Sequence, residues 1–155
     1  MADRKREWTI TTTSGVTVSG YLPRWAQEDP SEVDVPPEEL AARLADITHH
    51  VDFPGQMLDS YSPGNPTSHD APLEILRSSI DCNPYATGSD PRCPVVNIRI
   101  AGEFWLTDLG PKEVAGLVAK LRTLADRLDR DIIPTLDNAR SDWTNRPMTS
   151  TGGRS

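Results

Sequence analysis

Aromatic residues make up only 6% of this 155-residue chain and apolar residues 36%, which is low for a fully compact domain. A chain so composed builds a modest core with long loops around it, and its 14 prolines and 10 glycines point the same way. No apolar run approaches the ~20 residues of a membrane span, and the start, MADRKREW, lacks the apolar stretch of a signal peptide. A cytoplasmic location is therefore expected. Cysteine is confined to Cys82 and Cys93. A reducing cytosol keeps both as thiols, and a disulfide closing the loop between them would need an oxidising compartment. There is no C-x-x-C or H-x-x-x-H pair, no G-x-S-x-G elbow, no G-x-G-x-x-G and no G-x-x-x-x-G-K-[ST]. These absences argue against a clustered zinc site, a serine hydrolase and a glycine-loop nucleotide site, and no cofactor is expected.

Basic charge is also scarce, with 16 Lys and Arg against 23 Asp and Glu and a formal charge of −7. That balance argues against general nucleic-acid binding, which needs clustered cations. The one basic run, Arg4-Lys5-Arg6, is flanked by Asp3 and Glu7 and reads as a small solvated cluster. Between Trp25 and Ile47 stand seven acids and one base, Arg43, so most of the net charge originates there. Such a segment is either a solvated loop and helix back or a surface for a partner protein with a basic face.

Along the chain, Trp8, Ile10 and Thr12 alternate with Thr9, Thr11 and Thr13, Ser14-Gly15 interrupts, and Val16 and Val18 follow, a hairpin pattern that Pro23 ends. Pro36-Pro37 before Glu38-Glu39 suits a helix start, and Leu40, Leu44 and Ile47 make its apolar stripe. Thr48–Phe53 reads as a strand with His49, Val51 and Phe53 on one side. Residues 59–72 are nearly all turn formers and form a surface loop. Residues 73–82 carry both helical and strand spacings, and a strand over about Ile75–Asp81 is expected. A loop over Asn83–Pro94 precedes a second hairpin, Val95–Thr107, with Val96, Ile98 and Ile100 on one face and a turn at Ala101-Gly102. Gly110-Pro111 opens a long helix whose apolar positions Val114, Leu117, Val118, Leu121, Leu124, Ala125, Leu128 and Ile132 share one face, the piece around which the core should be organised. A kink or break is expected at Pro134, then a last helix to Trp143. The reading is one α+β domain over residues 8–143, mainly an antiparallel sheet with a short helix and a long C-terminal helix packed on one face, between disordered residues 1–7 and 144–155.

Chemistry-bearing groups are sparse. Adjacent histidines on a strand point to opposite faces, so His49 and His50 do not share an ion, whereas His50 and Asp52 could hold a metal. Cys82 follows Asp81, a neighbour of the wrong sign for lowering a thiol pKa. Trp105 is out of phase with Phe104 and Leu106. If those two face the core, Trp105 faces the other side of the sheet, either as a binding surface or covered by a second core. No catalytic residue is assigned. The candidate binding residues are Glu28, Asp29, Glu32 and Asp34 of the acidic stretch, Trp105, and Cys82 with Asn83 at the start of the second loop.

The strings GYLPRWAQEDPS and SIDCNPY, with RLADITHHVDF, PVVNIRIAGEFWLTDL and LRTLADRLDRDIIPTLDNARSDW in the same order, resemble a family of uncharacterised actinobacterial proteins, chiefly from Streptomyces and its relatives, classed as a domain of unknown function. The resemblance runs from Trp8 to about Trp143. It implies a small bacterial cytosolic protein and brings no catalytic or binding residues with it. The functional expectation is a non-catalytic protein-interaction or accessory module. The alternative is a small-molecule- or metal-binding enzyme-like domain using His50, Asp52 and Cys82. The oligomeric state is open.

Overall fold

The computed structural model describes residues 6–58 and 72–148. The expectations for the extreme N-terminus, for the loop over residues 59–71 and for the last seven residues lie outside that range. The class is α+β as expected, and the chain divides into two compact units, residues 1–110 and 111–155.

The first unit begins with β1 (Glu7–Thr12) and β2 (Thr17–Tyr21), the expected hairpin, paired in the register Trp8 opposite Gly20 and Ile10 opposite Val18. Gly15 takes the left-handed φ of 86° that the turn requires, and the Thr12 hydroxyl accepts the Val16 N–H at 3.0 Å. Alternation puts Trp8, Ile10 and Thr12 inside, all at or below 3% exposure.

The acidic segment contains a strand that the sequence reading missed. β3 (Glu32–Val35) lies parallel to β1 on the side away from β2. Val33 and Val35 would share a face in a regular strand. Asp34, at φ 58°, and the register shift around it turn Val35 inward to 1% exposure while Val33 stays 72% exposed. A 3-10 turn (Pro37–Glu39) then leads into α1 (Leu40–Ala45), whose Leu40 and Leu44 pack on the core made by Trp8, Ile10, Leu22, Ala26, Val35 and Ile47.

The second sheet has the order β4-β7-β8-β9, all neighbours antiparallel. It is built from β4 (His49–Phe53), β7 (Arg77–Cys82), β8 (Val95–Ala101) and β9 (Phe104–Leu109). A small ribbon of β5 (Gln56–Leu58) and β6 (Leu73–Ile75) stands beside it. Leu76 separates β6 from β7 with φ 57°, a left-handed conformation costly for a bulky residue, so the expected single strand is two. Two ring contacts join the sheets. Trp25 meets the buried His49 edge to face at 6.3 Å, and Tyr85, from the loop after β7, meets Trp8 at 5.7 Å.

The second unit is helical throughout: α2 (Pro111–Arg127), a π-turn (Leu128–Ile132) and α3 (Ile133–Thr144). Pro134 does not break the helix. The Ile133 N–H bonds back to the Leu128 carbonyl, the wider five-residue step of a π-turn, and the Thr135 hydroxyl donates to the Asp131 carbonyl at 2.6 Å. No residue of α2, the π-turn or α3 is buried, and the described core residues lie between Trp8 and Ile98. None of the described helices is long and apolar enough to cross a membrane.

Gly20 tests the packing of this core. A methyl group there would overlap the Trp8 indole and crowd the Tyr85 hydroxyl, whereas Gly88 has open space around it. Gly20→Ala is expected to destabilise by about 1–3 kcal/mol and Gly88→Ala by no more than about 0.5 kcal/mol. Urea unfolding followed by tryptophan fluorescence measures both.

Candidate functional site

Strand alternation gives the four-stranded sheet two unlike faces. The registers His50 opposite Asp81, Asp52 opposite Ser79, Arg77 opposite Arg99, Ser79 opposite Asn97 and Arg99 opposite Trp105 place all these residues on one face. The other face carries His49, Val51, Ile80, Cys82 and Ile98. A polar network therefore crosses the sheet from β4 to β9.

Its first centre is the Asp81 carboxylate, which accepts hydrogen bonds from His50 Nδ1, from the Ser79 hydroxyl and from Asn97 Nδ2, the last at 2.7 Å. Burial would raise the Asp81 pKa, but these three donors outweigh it and hold the carboxyl below its ordinary value. The second nitrogen of His50 faces Asp52 at 3.3 Å. Chiefly through its bond to Asp81, and against the opposing effect of burial, His50 is pushed above the ordinary histidine range. Asp52 also takes Arg77 Nη2 at 3.2 Å, and Arg77 together with His50 keeps it ionised.

From Arg77 the network continues to Glu74, 3.6 Å away, which holds Arg99 at 2.7 Å. The Gly55 N–H is the main reason the Glu74 pKa is lowered. Arg99 in turn lies 5.8 Å from the centre of the Trp105 ring, a cation–π distance. With His50 protonated, three carboxylates face three cations. The face is close to neutral overall although charged throughout.

Of the residues singled out in the sequence, His50 and Asp52 are brought together, and Trp105 closes the other end of the same network with 47% exposure. Because both His50 nitrogens face carboxylates, the imidazolium form has no lone pair for a metal. Among the described residues no three His, Cys, Asp or Glu side chains are arranged to hold an ion. Phe104 is 79% exposed and does not enter the core.

Cys82 lies on the opposite face, buried, its thiol donating to the Arg92 carbonyl and its pKa pushed up mainly by burial. It is a poor nucleophile. Cys93 is exposed, and both cysteines are free. Asn83 organises its own loop: its side chain donates to the Thr48 hydroxyl at 2.9 Å, its N–H to the Pro91 carbonyl, and its carbonyl accepts from Ala86.

The acidic candidates divide. Asp29 accepts both the N–H and the hydroxyl of Ser31, whose oxygen receives the Thr9 N–H, so it shapes the turn into β3. Glu32 stands 3.8 Å from Arg43, which also pairs with Glu39. Glu28 and Asp34 are exposed. Gln27 bonds to the backbone of His50 and Asp52 at the β4 edge, so Glu28 sits beside that edge, which is itself three strand spacings or about 14 Å from β9 and Trp105. Glu74, Arg77, Asp81, Asn97 and Arg99 were missed. For Arg77, Asp81, Asn97 and Arg99 the signal was the complement of the apolar alternation in β7 and β8, whose polar positions share one face.

The domain of unknown function DUF6907 matches residues 8–138. The chain belongs to that family. The match extends past the first unit into the helix, so both units are part of what defines it. No curated protein and no solved structure matches the chain.

The adjacent histidines should titrate in opposite directions. His49 is buried at 3% exposure with no partner found for Nδ1, and burial lowers its pKa. His50 is raised. An NMR titration assigned with His50→Gln is expected to give a His50 midpoint above 6.5 and a His49 midpoint below it. The sign for stability follows. The His50 contribution is complete below its unfolded-state value and lost as pH rises through its folded value. The Asp81 contribution is present above the ordinary carboxylate value and lost as pH falls through the lowered one. His50→Gln should remove the loss on the alkaline side, as measured by urea midpoints from pH 5 to 9.

Proposed function

We propose that this protein is a non-catalytic protein-interaction module of the bacterial cytosol, in keeping with its resemblance to actinobacterial proteins, and that it binds through the polar face of the β4-β7-β8-β9 sheet. The observation that carries this reading is Trp105, half exposed and braced by Arg99 at 5.8 Å. Trp and Arg are the residue types that most often anchor protein interfaces.

The network supports the same reading. Each charge on the face already has a partner of opposite sign, so covering it with another protein strips water from paired groups and not from isolated ions, which lowers the desolvation penalty. Catalysis finds less support. His50 is held between carboxylates and Cys82 is buried with a raised pKa. The acid excess around Glu28 and Asp34 favours a partner with a basic face, drawn in by the field of residues 25–47.

The test is gentle purification of the tagged chain from an actinobacterial host, comparing wild type with Trp105→Ala. A polypeptide retained by the wild type is expected to bind the variant about 30-fold or more weakly, with unchanged circular dichroism. Its binding should weaken steeply between 0.1 and 1 M salt, as the screening length falls from about 10 to about 3 Å. Equal retention by both forms, or unfolding of Trp105→Ala, would overturn the proposal.

A further inference from the structure

Cys82 and Cys93 stand at the two ends of the loop that carries Tyr85 back to Trp8. Cys82 is the last residue of β7, and Cys93 lies just before β8, which begins at Val95. The ladder between these strands closes with Asp81 opposite Val95. Beyond it, the Asn83 N–H donates to the Pro91 carbonyl at 2.9 Å. Between those two crossings one limb holds Cys82 alone, whereas the other holds Arg92, Cys93 and Pro94. The longer limb therefore bulges, and a bulge releases its residues from the strict alternation of a strand. Cys93 is the middle residue of that bulge, across from Cys82.

The Cys82 side chain reaches the same point. Its thiol donates to the Arg92 carbonyl at 3.2 Å, and in a trans peptide that oxygen lies about 2.8 Å from the next Cα. The Cys82 sulfur is thus within about 6 Å of the Cys93 Cα. A disulfide of ordinary geometry sets each sulfur about 4 Å from the opposite Cα, so side-chain rotation with a small shift of the bulge joins the two. Cys93 also adds to the raised pKa of Cys82, after the larger effect of burial, which puts the two groups within electrostatic reach.

Access separates their roles. Cys93 is exposed and Cys82 is buried, so a dissolved oxidant meets Cys93 first. The Cys93 thiol takes one oxygen from hydrogen peroxide, giving a sulfenic acid and water. The Cys82 sulfur then attacks that sulfur. The S–O bond breaks, its oxygen leaves with the Cys82 proton as a second water, and the S–S bond forms. Burial makes Cys82 a poor nucleophile toward solutes, but a partner held beside it presents a far higher effective concentration than a free thiol does.

We propose that Cys82 and Cys93 are a dithiol site at which an oxidant of the peroxide class makes a reversible intra-chain disulfide, Cys93 reacting first and Cys82 resolving. In a reducing cytosol the pair returns to thiols by exchange with a small-molecule thiol of the glutathione class, as transient intracellular disulfides do. The bond encloses residues 83–92 and so ties down the segment that holds Tyr85 on Trp8 and Asn83 on Thr48.

Reduced full chain treated with an equivalent of hydrogen peroxide and digested with trypsin tests this. Trypsin cuts after Arg77, Arg92 and Arg99, so the disulfide joins the peptides of residues 78–92 and 93–99. That linked pair is expected in the mass spectrum and should disappear with dithiothreitol. Against a glutathione buffer, the disulfide should be favoured about tenfold or more in the folded chain relative to the chain in concentrated urea. In Cys82→Ala, dimedone should trap a sulfenic acid on Cys93, whereas in Cys93→Ser, Cys82 should stay unlabelled. The wild-type measurements hold whether or not these variants fold. Absence of the linked pair, Cys93–Cys93 dimers in its place, or equal preference for the disulfide with and without urea overturns the proposal. Labelling of Cys82 in Cys93→Ser overturns the order of the two steps.

Discussion

Burial of the Trp8 indole is the interaction on which the first unit depends. The ring lies over Gly20 on the neighbouring strand and against Tyr85 from the loop after β7, at 1% exposure. In a chain with so few large apolar residues, one side chain of this size contributes a large share of the buried surface. It also sets geometry. Gly20 has to lack a side chain, the loop over Asn83–Pro94 has to return Tyr85, and Asn83 holds that loop through Thr48 and Pro91. The second contact, Trp25 on His49, joins the same two sheets, and His49 sits one residue before the histidine that anchors the polar face.

That adjacency lets one strand serve two chemistries. His49 points into the apolar side, where burial lowers its pKa, and His50 points to the side where two carboxylates raise it. Strand geometry alone produces the difference. The polar face it begins is a row of alternating charges ending at Trp105, each neutralised locally, and it costs less to cover than its composition suggests.

Much of the fold was legible. Period-two alternation of β-branched residues located β1, β2, β4, β8 and β9, and the phase of Trp105 relative to Phe104 followed from the same pattern. β3 was hidden because its four residues hold two acids and because the bulge at Asp34 breaks the alternation that would have exposed it. The break at Leu76 had no signal, since a left-handed leucine is imposed by tertiary structure and not by local preference. The site was half legible. Types and faces could be read from phase, but that Glu74 reaches Arg99, or Asn97 reaches Asp81, depends on cross-strand register, which no single strand encodes. The long helix was read correctly as a helix. Periodicity shows that a face is apolar without saying what covers it.

The first unit thus turns on the apolar cluster around Trp8. Amide hydrogen exchange on the wild type and on Gly20→Ala tests that dependence most directly. In Gly20→Ala, protection is expected to fall in β1 and β2 and also in β4, which the Trp25–His49 contact ties to the same core. Unchanged protection in all three strands would contradict the account.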